Sequence, residues 1–169
     1  PFGARNAFCH NAVREQGLKL YLVNLGGTRR GCITECHEIR ALLAEDLDCA
    51  LKVAAAATDL SALHLDGYAE IQLAEASVMS ELQLFFMELG KGGHGMDEAH
   101  MFAFAWATTP AAAGQRFRAK HKGWHLDTVF NLSRVAADAG YAIPYEAEET
   151  SPYLPQQLST YRKLAKRAR

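Results

Sequence analysis

Four short stretches of this chain place a histidine two residues from a carboxylate: Glu35 with His37, His64 with Asp66, Glu98 with His100, and His125 with Asp127. On an extended chain, residues i and i+2 point to the same side, so each pair presents its imidazole and its carboxylate together. A carboxylate beside an imidazole fixes one ring tautomer and raises the basicity of the other nitrogen, which suits a general base or a metal ligand. A Glu-x-His and a His-x-Asp that met would offer two imidazoles and carboxylates to a divalent metal with open positions, as in hydrolytic and redox centres. The competing reading is structural. Polar groups at the end of a buried strand satisfy one another and nearby backbone groups, and Asp66 and Asp127 cap or turn the chain while the histidines bond locally.

The elements that carry these pairs are readable. "LKLYLVNLGG" from Leu18 and "LQLFFMELGK" from Leu82 are apolar on both faces and stop at glycines, as central strands do. Second strands follow, and at period two His37, Ile39, Ala41 and Leu43 share a face, as do His100, Phe102, Phe104 and Trp106. Taken as core faces, they turn the Glu-x-His pairs inward. Thr109, Pro110 and Gly123 mark the start and stop of a helix, and a matching helix runs from Asp46 or Asp48 to about Thr58. The His-Leu-Asp stretches open a last strand, or Asp66 and Asp127 cap a helix, with Gly140 ending the second one. Their His and Asp share the parity opposite to Leu65 and Ile71, or Leu126 and Leu132, and so face solvent or a cleft.

The same order occurs twice. Leu18 aligns with Leu82, Gly31 with Gly95, Glu35 with Glu98, His37 with His100, His64 with His125 and Asp66 with Asp127. The fold class expected is α+β: two tandem strand-strand-helix-strand repeats packed with pseudo-two-fold symmetry. Residues 1–17 form an N-terminal extension, 18–75 the first repeat, 76–81 a connector, 82–146 the second repeat, and 147–169 a tail. That tail ends in a basic helix, with Leu158, Tyr161 and Ala165 on one stripe among Arg162, Lys163, Lys166, Arg167 and Arg169.

"LYLVNLGG", a Glu-x-His opening the second strand and a His-hydrophobic-Asp opening the last element resemble the bacterial domain of unknown function 1543 family. The resemblance covers roughly residues 18 to 146. That domain occurs in one or two copies per chain, so the resemblance implies a tandem architecture. It brings no catalytic residues with it. Cys36 and Ala99 inside the two Glu-x-His matches differ, and the second copy has "LGK" for "LGG".

Composition narrows the classes. With 169 residues, 49% hydrophobic and 22% charged, the chain is long enough for a core in one domain or two small ones. Its longest apolar runs fall far short of the roughly 18 residues of a membrane span, and residues 1–17 lack the apolar core of a secretory signal. Four cysteines, Cys9, Cys32, Cys36 and Cys49, are expected as reduced thiols in a cytoplasm. Cys32, Cys36 and His37 lack the second Cys pair of a structural zinc site. A net charge of −1 argues against a nucleic-acid partner. The loops "GGTRRG" and "GKGGHG" offer Arg29, Arg30, Lys91 and His94 to an anion, or are plain glycine turns.

The leading expectation is a small, non-enzymatic ligand-binding or protein-interaction module whose partner is a small molecule or a protein, a second copy included. The alternative is a metal-dependent, hydrolase-like enzyme that uses the repeated pairs.

Overall fold

The computed structural model describes residues 17–75, 80–92, 98–145 and 157–164. Residues 1–16 of the N-terminal extension, His94, Gly95, most of the connector and Ala165, Lys166, Arg167 and Arg169 of the tail lie outside them, as does Cys9. The fold is α+β with antiparallel sheets, and the chain divides into two compact units, residues 1–73 with 155–169 and residues 74–154.

In unit 1, β1 (Lys19–Thr28) is the central strand, flanked by β2 (Cys36–Ala44) and β3 (Ser61–Gln72), with β9 (Gln157–Lys163) on the outer edge of β3. Both faces of β1 are buried, which is why it reads as a continuous apolar run. Tyr21, Val23 and Leu25 pack with Leu51 and Ala54 of α1 (Leu47–Ala57) and with Leu63 and Leu65. The alanines of α1 favour the helix and let it lie close to the sheet. Asp46 caps α1 by accepting from the Cys49 amide at 2.7 Å. At its other end Thr58 donates to Glu38 Oε2 at 2.9 Å, where Arg29 and Arg40 also converge.

Unit 2 centres on β5 (Gln83–Gly92), between β6 (Glu98–Ala107) and β7 (His125–Asn131). Phe85, Met87 and Leu89 pack with Ala113 of α2 (Pro110–Lys120) and with Leu126. Thr109 caps α2, Pro110 opens it, and Gly123 adopts φ +84 just beyond it, as the capping residues predict. A short helix, α3 (Leu132–Asp138), follows β7, and a two-residue pair joins β4 (Ala74–Glu75) to β8 (Tyr141–Ala142). The His-Leu-Asp stretches thus lie on strands, opening β7 and falling inside β3, and the helix that Gly140 terminates begins only at Leu132, capped by Asn131.

Two expectations are corrected here. The basic tail is not a helix over Leu158 to Lys163: it is β9, paired antiparallel to β3, with Leu158 opposite Tyr68 and Lys163 opposite His64. Backbone pairing to an open sheet edge outweighs the weak helical stripe, and Arg162 reaches Asp48 at 2.6 Å. The face assignment also fails. Asp66 falls at a β-bulge, since Leu25 pairs Leu65 and Asn24 pairs Gly67. The extra residue reverses the alternation, so Ile71 and Leu65 point to opposite faces.

Candidate metal centres

Each site is built across three strands around one glycine. On β1, Gly26 lies opposite His37 of β2 and His64 of β3; on β5, Gly90 lies opposite His100 of β6 and His125 of β7. Directly opposed residues share a face, so both histidines lean over a position that has no side chain. Glu35 and Glu98, two residues before their histidines, join on the same side. β3 and β7 carry their carboxylates into the clusters by the bulge at Asp66 and by the matching register shift at Asp127.

In unit 1, His64 Nε2 lies 3.1 Å from Glu35 Oε1 and 3.2 Å from Asp66 Oδ1, and His37 Nε2 lies 3.3 Å from Asp66 Oδ2 and 3.8 Å from Glu35 Oε2. In unit 2, His125 Nε2 lies 2.9 Å from Glu98 Oε1 and 3.1 Å from Asp127 Oδ1, while His100 stands 3.7 Å from Glu98 and 3.9 Å from Asp127. All eight sequence-predicted polar residues therefore assemble, four to a unit. The inward, core-facing orientation expected for His37 is corrected: its side chain is 51% exposed, because it lies at the glycine end of its strand, beyond the packed core. The opposite facing expected of the Glu-x-His and His-x-Asp pairs is corrected with it.

His64 is the most constrained of these groups. Its side chain is 9% exposed, Tyr161 of β9 packs on its ring at 4.8 Å, and its Nδ1 lies 3.2 Å from the Ala62 carbonyl. Ala62 holds φ +49, an unfavourable region for a residue with a Cβ, and that turn aims its carbonyl at the ring. A proton on Nδ1 leaves Nε2 as a bare acceptor facing two carboxylates. Asp66 Oδ2 is buried without a hydrogen-bond partner. Asn24 Oδ1, two residues before Gly26 on the same strand, is likewise buried and unpaired. A cation held between these carboxylates would answer the Asp66 acceptor.

The glycines leave room for one. A Cβ on Gly90 would stand 2.5 Å from His125 Nε2 and 2.6 Å from both Asp127 Oδ2 and Glu98 Oε1. A Cβ on Gly26 would collide with His64 Nε2 and stand 2.7 Å from Asp66 Oδ2. Neither glycine has positive φ, so open space rather than backbone freedom accounts for the residue type. Glu98, His125 and Asp127 offer ligand atoms all within 4.8 Å of one another.

Sequence reasoning missed Glu88, whose Oε1 lies 3.2 Å from His100 Nδ1, and Tyr161. The signal for Glu88 was its position two residues before Gly90, on the same face. Of the candidate anion-binding residues, His94 lies outside the described residues. Arg29 is held by Asp59 and Glu38, and the Asp59 hydrogen bond pushes its pKa up. Lys91 lies over the Trp124 ring at 5.9 Å, and Arg30 is exposed. No thiol joins the clusters among the described residues: Cys36 packs against the unit 1 core, and its pKa is raised by a hydrogen bond with Cys32.

No helix among the described residues is long and apolar enough to cross a membrane. No protein-family model matches the chain, and comparison with curated proteins found no match. Among solved structures, the crystal structure of a protein Il1583 from Idiomarina loihiensis is similar, with a TM-score of 0.58 and 22% identity over 88% of this chain and 99% of that one. At that identity the likeness is one of fold.

Proposed function

We propose that this protein is a metal-binding module that holds a divalent transition-metal ion in each unit, through Glu35, His37, His64 and Asp66 in one and through Glu98, His125 and Asp127 in the other. The observation that carries the reading is the compact set of unit 2, where Glu98, His125 and Asp127 offer ligand atoms all within 4.8 Å of one another; in unit 1, His64 Nε2 faces two carboxylate oxygens, and the buried Asp66 Oδ2 makes no hydrogen bond, with His37 Nε2 at 3.3 Å. Leaving such an oxygen unsatisfied costs about 1–3 kcal/mol, and a bound ion removes that cost. Imidazole with carboxylate suits zinc and its neighbours better than calcium or magnesium.

The same reading takes the two units as one duplicated unit. Glycine, both histidines and the bulged aspartate occupy matching register positions in each. Membership in the domain of unknown function 1543 family belongs to this proposal and rests on the order of the sequence matches.

A hydrolase-like enzyme is the second reading, favoured by the three-ligand set of unit 2, which leaves coordination positions free. Elemental analysis of untagged protein after zinc loading tests the first reading. Two ions per chain are expected, falling to one in His64→Ala and one in His125→Ala. A chain that binds no ion, with both variants merely less stable, would make the clusters structural.

A further inference from the structure

We infer that the two centres load in order: unit 2 takes the first ion as it stands, and unit 1 takes a second only at higher metal concentration. This rests on the metal-binding reading above and adds the regulation of those sites. The order follows from where the carboxylate oxygens of each cluster point and from how firmly its histidines are packed.

In unit 2, Glu98 Oε1 and Asp127 Oδ1 close on His125 Nε2 at 2.9 and 3.1 Å, and ligand atoms of these three residues all lie within 4.8 Å of one another. His100 stands off from both carboxylates at 3.7 and 3.9 Å, with its Nδ1 turned to Glu88 Oε1 at 3.2 Å. Among the described residues, the four of unit 1 form no such set. Glu35 turns Oε1 to His64 and Oε2 to His37, and Asp66 turns Oδ1 to His64 and Oδ2 to His37. The oxygens are shared out between two imidazoles. An ion that needs its ligands at about 2.0–2.2 Å must first draw them together.

Packing makes that movement costly in unit 1. His64 is held between the Ala62 carbonyl, 3.2 Å from its Nδ1, and the Tyr161 ring at 4.8 Å, and Asp66 sits in the bulge of β3 with its Oδ2 buried. Shifting either group strains packed neighbours. The His125 side chain, 55% exposed against 9% for His64, settles on an ion without that cost. Unit 1 still gains from an ion, because Asp66 Oδ2 has no hydrogen bond, and so it fills second. Disturbing the support of metal ligands costs about 10–100-fold in affinity, which sets the gap between the two centres at about tenfold or more. The chain then carries one resident ion and one that answers to excess metal.

The test titrates Zn²⁺ into the untagged full chain in competition with a chromophoric chelator. Two steps are expected, separated by about tenfold or more in affinity. Asp127→Ala should abolish the tighter step and leave the weaker one. His64→Ala should abolish the weaker step and leave the tighter one unchanged. Glu35→Gln repeats that result at a half-exposed side chain, where the substitution leaves the packed ring of His64 in place. Two ions of equal affinity, or loss of the tighter step in Glu35→Gln, would overturn the inference while leaving the metal-binding reading intact. A single ion at saturation would overturn it together with the unit 1 part of that reading, and absence of bound zinc would overturn both entirely.

Discussion

Adding one methyl group at the floor of each centre separates metal binding from stability. In Gly90→Ala, the new Cβ stands 2.5–2.6 Å from three ligand atoms. Each must retreat by about an ångström, whereas metal–ligand distances tolerate only about ±0.2 Å. We expect zinc affinity at unit 2 to fall by about 100-fold or more, at the upper end of what disturbing a ligand's support costs. Stability changes little. His125 is half exposed and can swing away, and replacing glycine at an ordinary strand φ restricts the unfolded chain by about 0.4–1 kcal/mol in the variant's favour. Gly26→Ala differs because His64 is pinned between the Ala62 carbonyl and Tyr161, and a Cβ there also meets its Cε1 at 2.9 Å. That is overpacking, expected to cost about 1–3 kcal/mol. Zinc competition against a chromophoric chelator measures the first effect and urea denaturation the second. Wild-type zinc binding by Gly90→Ala, or equal destabilisation by both variants, would refute the reasoning.

Saturating zinc at about 100 times its dissociation constant should stabilise the binding unit by about 2.7 kcal/mol, reversed by chelator; an unchanged denaturation midpoint would contradict it. Asp46→Ala removes the α1 cap and should cost about 1 kcal/mol in urea denaturation. Ala62→Gly should relieve the φ +49 backbone and stabilise unit 1 by about 0.5–1 kcal/mol in urea denaturation, and a net loss would contradict it. Acid should destabilise unit 1 through three depressed carboxyl groups. The Cys49 amide lowers Asp46, and Lys19 with Tyr21 lowers Glu70. Burial pushes Glu38 up, but Arg40, Thr58 and Arg29 together outweigh it. Their contribution is complete above the ordinary carboxylate range of about 4 and is lost as pH falls through the lower folded values. Glu38→Gln should flatten that part of the pH–stability profile.

The local signals were legible where a single residue decides the geometry. Asp46, Thr109, Pro110 and Gly123 each act through their own backbone or cap, so α1 and α2 follow from sequence to within a residue or two. The continuous apolar runs gave the central strands for the same reason, since burial on both faces leaves no alternation to misread. The tail was misread because its strand exists only by pairing with β3, a contact that joins residues far apart in the chain and leaves no local periodicity. Its Leu158, Tyr161 and Ala165 spacing fitted a helix equally well.

The site itself was half legible, and the missing half has two physical causes: His37 lies at the glycine end of its strand, beyond the packed core, and bulges interrupt β3 and β7. All eight chemical residues could be named from types and spacing, but alternation along β2 turned His37 toward the core, and alternation along β3 set Leu65 and Ile71 on one face. Strict alternation assumes an unbroken ladder, and the bulges at Asp66 and Asp127 break it at the residues that matter. Counting back from Ile71 gives one face and counting forward from His64 gives the other; only the pairing partner on β1 decides between them. Gly26 held the answer in a different form. A glycine inside an otherwise apolar central strand weakens it unless something needs to approach that backbone closely, and the groups that approach here are the two histidines opposite it. A glycine two residues beyond a polar residue in a buried strand, Asn24 then Gly26 or Glu88 then Gly90, is therefore the more informative mark of such a centre than the His-x-Asp spacing, because it specifies where the ligands must meet.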